Sequence, residues 1–165
     1  MTLIAEKKAI EVLEACRQHN FRLATVESCT GGLIVASLTD IAGSSDVVEC
    51  GFITYSNEAK NRLVGVPNNL ILEHGAVSKP VAIAMAEGGI KHSSADIAVS
   101  VTGVAGPGGG SKEKPVGLVH MAVAVKGGVT QHFEARFGDH ARADIRHATV
   151  ERALDLVLEV LNTVE

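Results

Sequence analysis

Apolar and polar residues alternate along this chain with two distinct periods, and the switches between them mark out its elements. Leu3, Ile4, Ile10, Leu13 and Cys16 recur at helical spacing and predict a first amphipathic helix ending near His19-Asn20. A short apolar run, Phe21 to Val26, then predicts a strand, and Leu33, Ile34, Ala36, Ser37 and Leu38 predict a second helix that Ala42-Gly43-Ser44-Ser45 ends. Val47 to Tyr55 follows as a strand, and Asn57 to Leu63 as a short helix stopped by Gly65 and Pro67. Ser78-Lys79-Pro80 opens another helix, sending Val81, Ile83, Ala84 and Met85 inward.

In the second half, Ile97 to Val101 is a compact apolar run suited to a strand covered on both faces. Beyond a glycine-rich loop, Gly103 to Pro115, two strands (Val116 to Val125 and Val129 to Phe137) flank Lys126-Gly127-Gly128 as a hairpin. In the later strand Val129, Phe133, Ala135 and Phe137 alternate with Thr130, His132, Glu134 and Arg136, so one face should meet solvent or a partner. From about Ala141 a last helix carries Ile145, Val150, Leu154, Val157, Leu158 and Leu161, its stripe broadened by Leu156 and Val160. Helix and strand alternating in this way predict an α/β fold, a three-layer α/β/α sandwich with a mixed sheet, as a single domain over residues 1–165.

Composition narrows the chemistry. Apolar residues make up 46% of the chain but aromatics only 3%, so the core must be built from Val, Ile, Leu and Ala, and no stacking platform for bases exists. The net charge of −4 without a Lys/Arg block argues against nucleic acid as a partner. Cys16, Cys29 and Cys50 have neither CxxC nor framework spacing and read as reduced thiols. No apolar run reaches the roughly 18–20 residues of a membrane span and no signal peptide is evident, so a cytoplasmic protein is expected.

Three places could carry chemistry. Glu27-Ser28-Cys29-Thr30-Gly31-Gly32 sets a hydroxyl and a thiol on the turn from a strand into a helix, where unpaired N–H groups favour an oxyanion. An ordinary βα turn with a capping hydroxyl fits the same residues, and Cys29 competes with Ser28 as nucleophile. Lys60 could serve as the base of Ser28 if burial lowered its pKa, and Tyr55 could converge on the same pocket; a solvated helix lysine is the plainer alternative. The stretch Val101 to Ser111 follows a buried strand, as ligand-contacting loops do. It lacks the glycine at Ser111 that a dinucleotide fingerprint or P-loop needs, and a flexible connection is its other reading. Arg142 and Arg146, one helical turn apart, could bind a phosphate or simply face solvent. The seven histidines show no metal-binding spacing, and no metal is expected.

Glu27 to Gly32, Ala42 to Ser45, Gly51 to Asn57 with Lys60, Gly75 to Ser78, Thr102 to Pro107 and Lys114 to Gly117 together resemble, in order and spacing, the CinA C-terminal domain family. Members include nicotinamide-nucleotide amidases, which convert nicotinamide mononucleotide to nicotinate mononucleotide and ammonia in pyridine-nucleotide recycling. The resemblance implies the stand-alone form of the domain, with Ser28 as nucleophile, Lys60 as base and Tyr55 supporting them. It places Thr30 and Gly31 at the oxyanion, and Thr102, Gly103, Ala105, Gly106 and Arg142 along the substrate pocket. A departure occurs before Arg142, where His140-Ala141 replace the family's usual Gly-Asp. No metal or organic cofactor is implied, and the partners expected are a small nucleotide substrate and, from the last helix's broad stripe, further copies of the chain. The alternative is a non-catalytic nucleotide-binding module that regulates a competence or DNA-damage partner.

Overall fold

Leu23–Glu27 (β1) is buried at every position, because strands flank it on both sides and helices cover both its faces. In the computed structural model, which describes residues 4–164, β1 is the second strand of a five-stranded sheet. Its neighbours are Val48–Ile53 (β2) and Ile97–Gly103 (β3), both parallel to it, and the sheet continues through Leu118–Val125 (β4) and Gln131–Arg136 (β5) as antiparallel strands. Chain order leaves β1 for β2 on one side while β3 returns on the other. That reversal opens a crevice at the carboxyl ends of β1 and β3.

The first helix, Glu6–His19 (α1), packs with Leu33–Thr39 (α2) and Arg142–Leu161 (α6) on one face, and Asn57–Val64 (α3), Asn68–His74 (α4) and Lys79–Lys91 (α5) cover the other. The result is the expected α/β/α sandwich with a mixed sheet. The larger core lies under α1, α2 and α6, where Leu13, Leu38, Met121, Leu154 and Val157 are fully buried. Opposite, α5 approaches the sheet closely through small residues. A Cβ on Gly89 would lie 2.7 Å from Val26 Cγ2, and Ala82 and Ala86 pack on Ala122 and Ala124.

Several boundaries differ from the sequence reading, each for a local reason. Leu3 lies outside the described residues, and Ile10 is exposed because the buried face of α1 runs through Ala9, Val12, Leu13 and Cys16. Strand β1 begins at Leu23 rather than Phe21, since Asn20 closes α1 in a left-handed conformation and the Phe21 N–H bonds back to Cys16 O. The helix α4 was not foreseen; Pro67 stands before its first residue and only Ile71 is buried, so its periodic signal is weak. Val129 is 81% exposed and lies before β5, while Thr130 turns aside to donate to Glu87. On α5, Ala82 and Ala86 are buried and Ile83 and Ala84 only partly so. Leu156 and Val160 of α6 are buried within the chain itself, so the breadth of that stripe requires no second copy to cover it.

Candidate active site

The turn after β1 stands at the head of the crevice. Ser28 N–H donates to Val101 O on β3 at 3.1 Å, and Thr54 N–H donates to Glu27 O at 2.7 Å, tying the ends of three strands together around Ser28. Glu27 builds the turn. Its fully buried carboxylate accepts from Thr30 Oγ1 at 2.6 Å, from Thr25 Oγ1 at 3.3 Å and from the N–H groups of Gly32, Ile34 and Val35 at 3.2, 2.9 and 3.1 Å. A carboxylate at the entrance of α2 satisfies donors that no residue of the helix can reach, and it meets the positive end of the helix dipole.

Lys60 comes to Ser28 from the other side of the sheet. Ser56 caps α3, its Oγ accepting from Ala59 N at 3.0 Å, and this start orients the next turn so that Lys60 folds back over the end of β2. There Nζ lies 3.0 Å from Ser28 Oγ, 2.8 Å from Thr54 O and 3.3 Å from Tyr55 O. Lys60 is 1% exposed, and burial pushes its ammonium down from the ordinary 10.5 to about 8. At pH 7 roughly a tenth of such lysines are neutral, against well under about 0.1% at the ordinary value. A neutral amine in this position donates its two N–H groups to the Thr54 and Tyr55 carbonyls and offers its lone pair to the Ser28 hydroxyl.

Cys29 is different. Its thiol is buried in the main core, and burial pushes its pKa up to about 12, so it is protonated throughout the neutral range. Of the two side chains, only the Ser28 hydroxyl is hydrogen-bonded to Lys60.

A cleft of about 300 Å³ opens at Ser28 and Lys60 and runs along the loop after β3. Thr102, Gly103, Ala105 and Gly106 line it, and the Thr102 hydroxyl donates to Ala76 O at 3.0 Å. Arg142, at the start of α6, crosses the mouth. Its Nη1 donates to Gly106 O at 2.6 Å and its Nη2 to the Tyr55 hydroxyl at 3.1 Å. Tyr55 therefore gives its carbonyl to Lys60 and its phenol to Arg142. A broader recess of about 660 Å³ lies beyond Gly108 and Gly109, on the far side of the loop and away from Ser28 and Lys60.

Thr30 and Gly31 differ from the sequence expectation, for neither lines the cleft. The Thr30 hydroxyl is held by Glu27, and the Gly31 N–H is taken by Ser28 O at 3.0 Å. Arg146 also parts from Arg142, binding the carbonyls of Cys29 and Thr30 instead of sharing a phosphate site. Sequence reading gave Glu27 no role, because it ends β1 and five residues separate it from α2, so no local capping signal marks it. Ala76 and Val77 of the cleft wall belong to the Gly75 to Ser78 stretch that carries the family resemblance, but nothing in the sequence marks them as lining a pocket, to which tertiary packing brings their loop.

A family model described as the CinA C-terminal domain matches residues 5–161. The chain belongs to the CinA C-terminal domain family. Among curated relatives, a CinA-like protein of Synechococcus sp. is 52% identical over 147 residues, covering 88% of this chain and 35% of its own length. Another from Akkermansia muciniphila is 48% identical over 142 residues, covering 86% and 34%. This CinA chain thus spans about a third of the length of those relatives. Solved structures agree with the fold. The competence/damage inducible protein CihA from Agrobacterium tumefaciens matches with a TM-score of 0.94 at 48% identity, covering 99% of this chain and all (100%) of that one. The competence damage-inducible protein A from Klebsiella pneumoniae matches at 0.92 and 32%, covering 97% and 98%. Among the described residues of this CinA domain, no helix is long and apolar enough to cross a membrane.

Proposed function

We propose that this domain is a serine amidohydrolase that converts nicotinamide mononucleotide to nicotinate mononucleotide and ammonia. The observation that carries the reading is Lys60: a buried lysine with a lowered pKa, 3.0 Å from Ser28 Oγ. Such an arrangement has a high cost in desolvation and a ready use in activating a hydroxyl. Membership of a family that includes nicotinamide-nucleotide amidases supports this choice of substrate, and the arginine at the mouth of the cleft suits the substrate's phosphate.

In the first half-reaction neutral Lys60 takes the Ser28 proton as Oγ bonds to the carboxamide carbon. The carbonyl electrons move to oxygen, which main-chain N–H groups of the turn stabilise. Collapse of the tetrahedral adduct breaks the C–N bond, and Lys60 returns the proton to the leaving nitrogen, releasing ammonia. Water then adds to the acyl-serine by the same route, with Lys60 first taking its proton and then giving it to Ser28 Oγ. The pyridinium charge draws electrons from the carboxamide and favours attack. Protons and bonds balance in these steps without a metal or organic cofactor.

Ammonia release from nicotinamide mononucleotide tests the reading. Wild type and Cys29→Ala are expected to turn over alike, and Ser28→Ala to lose at least about 10³-fold in kcat. Full activity in Ser28→Ala would sink the serine mechanism. Tight nucleotide binding by a wild type that releases no ammonia would instead favour a regulatory binding module.

A further inference from the structure

Arg142 and Arg146 lie one turn apart on α6, yet their guanidinium groups serve different ends. Arg146 reaches beneath the nucleophile turn, Nε donating to Cys29 O and Nη2 to Thr30 O, each at 3.1 Å. Two successive carbonyls held by one rigid fork is a task for which lysine has no equivalent. A trans peptide is planar, so its C=O and the N–H of the next residue point in opposite directions. Anchoring the Cys29 carbonyl on Arg146 therefore aims the Thr30 N–H away from α6. Anchoring the Thr30 carbonyl likewise aims the Gly31 N–H, which is found on Ser28 O at 3.0 Å. That bond fixes the Ser28 carbonyl and so turns the Cys29 N–H outward as well.

The other donors of the turn are engaged. Gly32, Ile34 and Val35 N–H groups go to Glu27, and the Leu33 N–H goes to Thr30 O. Among the described residues, the N–H groups of Cys29 and Thr30 have no acceptor in another residue, and of the two only Cys29 lines the cleft, Thr30 being fully buried. We infer that Arg146 is a positioning residue whose grip on the Thr30 carbonyl, relayed through the Gly31 N–H to Ser28 O, holds the Cys29 N–H as an oxyanion donor beside Ser28. The inference rests on the proposed acylation of Ser28, and it replaces the expected donors at Thr30 and Gly31 with one at Cys29. It also gives Arg146 a role apart from phosphate binding.

Two measurements on Arg146→Ala and Arg146→Lys separate this inference from the reading it rests on. In ammonia release, Arg146→Ala is expected to lose about 10²-fold in kcat with KM within about twofold, because donors to an oxyanion act on the transition state rather than on bound substrate. The pH midpoint near 8 set by Lys60 should not move, Arg146→Lys should fall between, and added guanidinium should restore part of the lost rate. The second measurement is labelling of Ser28 by an alkyl fluorophosphonate, in which Oγ bonds to phosphorus, fluoride leaves, and Lys60 takes the proton. This reaction needs the hydroxyl and the oxyanion donor but no nucleotide. Slower labelling in Arg146→Ala, at least about tenfold, supports the inference even if wild type releases no ammonia. Wild-type rates of turnover and labelling in both variants overturn it and leave the amidase reading standing. So does a rise in KM alone, the mark of a substrate ligand. A wild type that neither turns over nor labels overturns both. If Arg146→Ala does not fold, Arg146→Lys decides on the same criteria.

Discussion

In the proposed reaction Lys60 is the base on which the chemistry turns. Its folded pKa of about 8 lies below its ordinary 10.5, so the neutral base becomes populated as pH rises through the lower value. Ammonia release is therefore expected to increase from pH 6 to pH 9 with a midpoint near 8, and a flat profile across that range would remove Lys60 as base. Lys60→Arg should be inactive at every pH, because a guanidinium keeps its proton. The same shift has a consequence for stability. Below about 8 the lysine is charged in both folded and unfolded chains and its burial opposes folding, whereas between about 8 and 10.5 the folded chain gives up the proton first. Lys60→Met removes that opposition, so its advantage over wild type in urea unfolding should shrink by roughly 3 kcal/mol from pH 6 to pH 10.

At the level of elements, the short α2 depends on a residue outside it. Glu27 belongs to β1, yet its carboxylate receives the first N–H groups of α2 and the Thr30 hydroxyl. Glu27→Gln replaces one acceptor oxygen by an NH₂ that faces donors, and it should cost about 2–4 kcal/mol in urea denaturation as well as disordering the turn that carries Ser28. The start of α6 contributes Arg142 at the mouth of the cleft. Arg142→Ala should raise KM for the mononucleotide by at least about tenfold while leaving the corresponding riboside, which has no phosphate, unaffected. Equal effects on the two substrates would show that Arg142 only shapes the Gly106 loop.

For the whole molecule, α5 lies close against the parallel strands whose carboxyl ends carry the site. Gly89 permits that approach, with a Cβ there meeting Val26 at 2.7 Å and Ala98 at 3.2 Å. Gly89→Val should lower stability by about 2–3 kcal/mol, read as a drop in the urea midpoint with little change in slope. The sandwich itself was legible in the alternation of helical and strand patterns, since that alternation fixes which faces must be buried. Hidden elements were those with little periodicity: α4 has a single buried residue, and the exposed Val129 looks in sequence like a strand position.

Local sequence was enough to place Ser28 on a turn between a buried strand and a helix, because hydrophobic period and glycine punctuation are near-neighbour properties. It brought Lys60, Tyr55 and Arg142 into view as candidates, and resemblance to a family gave them roles, without showing that they meet. Only the tertiary structure sets Lys60 Nζ against Ser28 Oγ across 32 positions of sequence, and only burial there gives the amine its pKa. It also hydrogen-bonds Lys60 to Ser28 while burying the Cys29 thiol, and it sends two arginines with the same spacing and chemistry to different places. Direction, burial and partner are set by what packs around a side chain, and those neighbours come from distant parts of the chain.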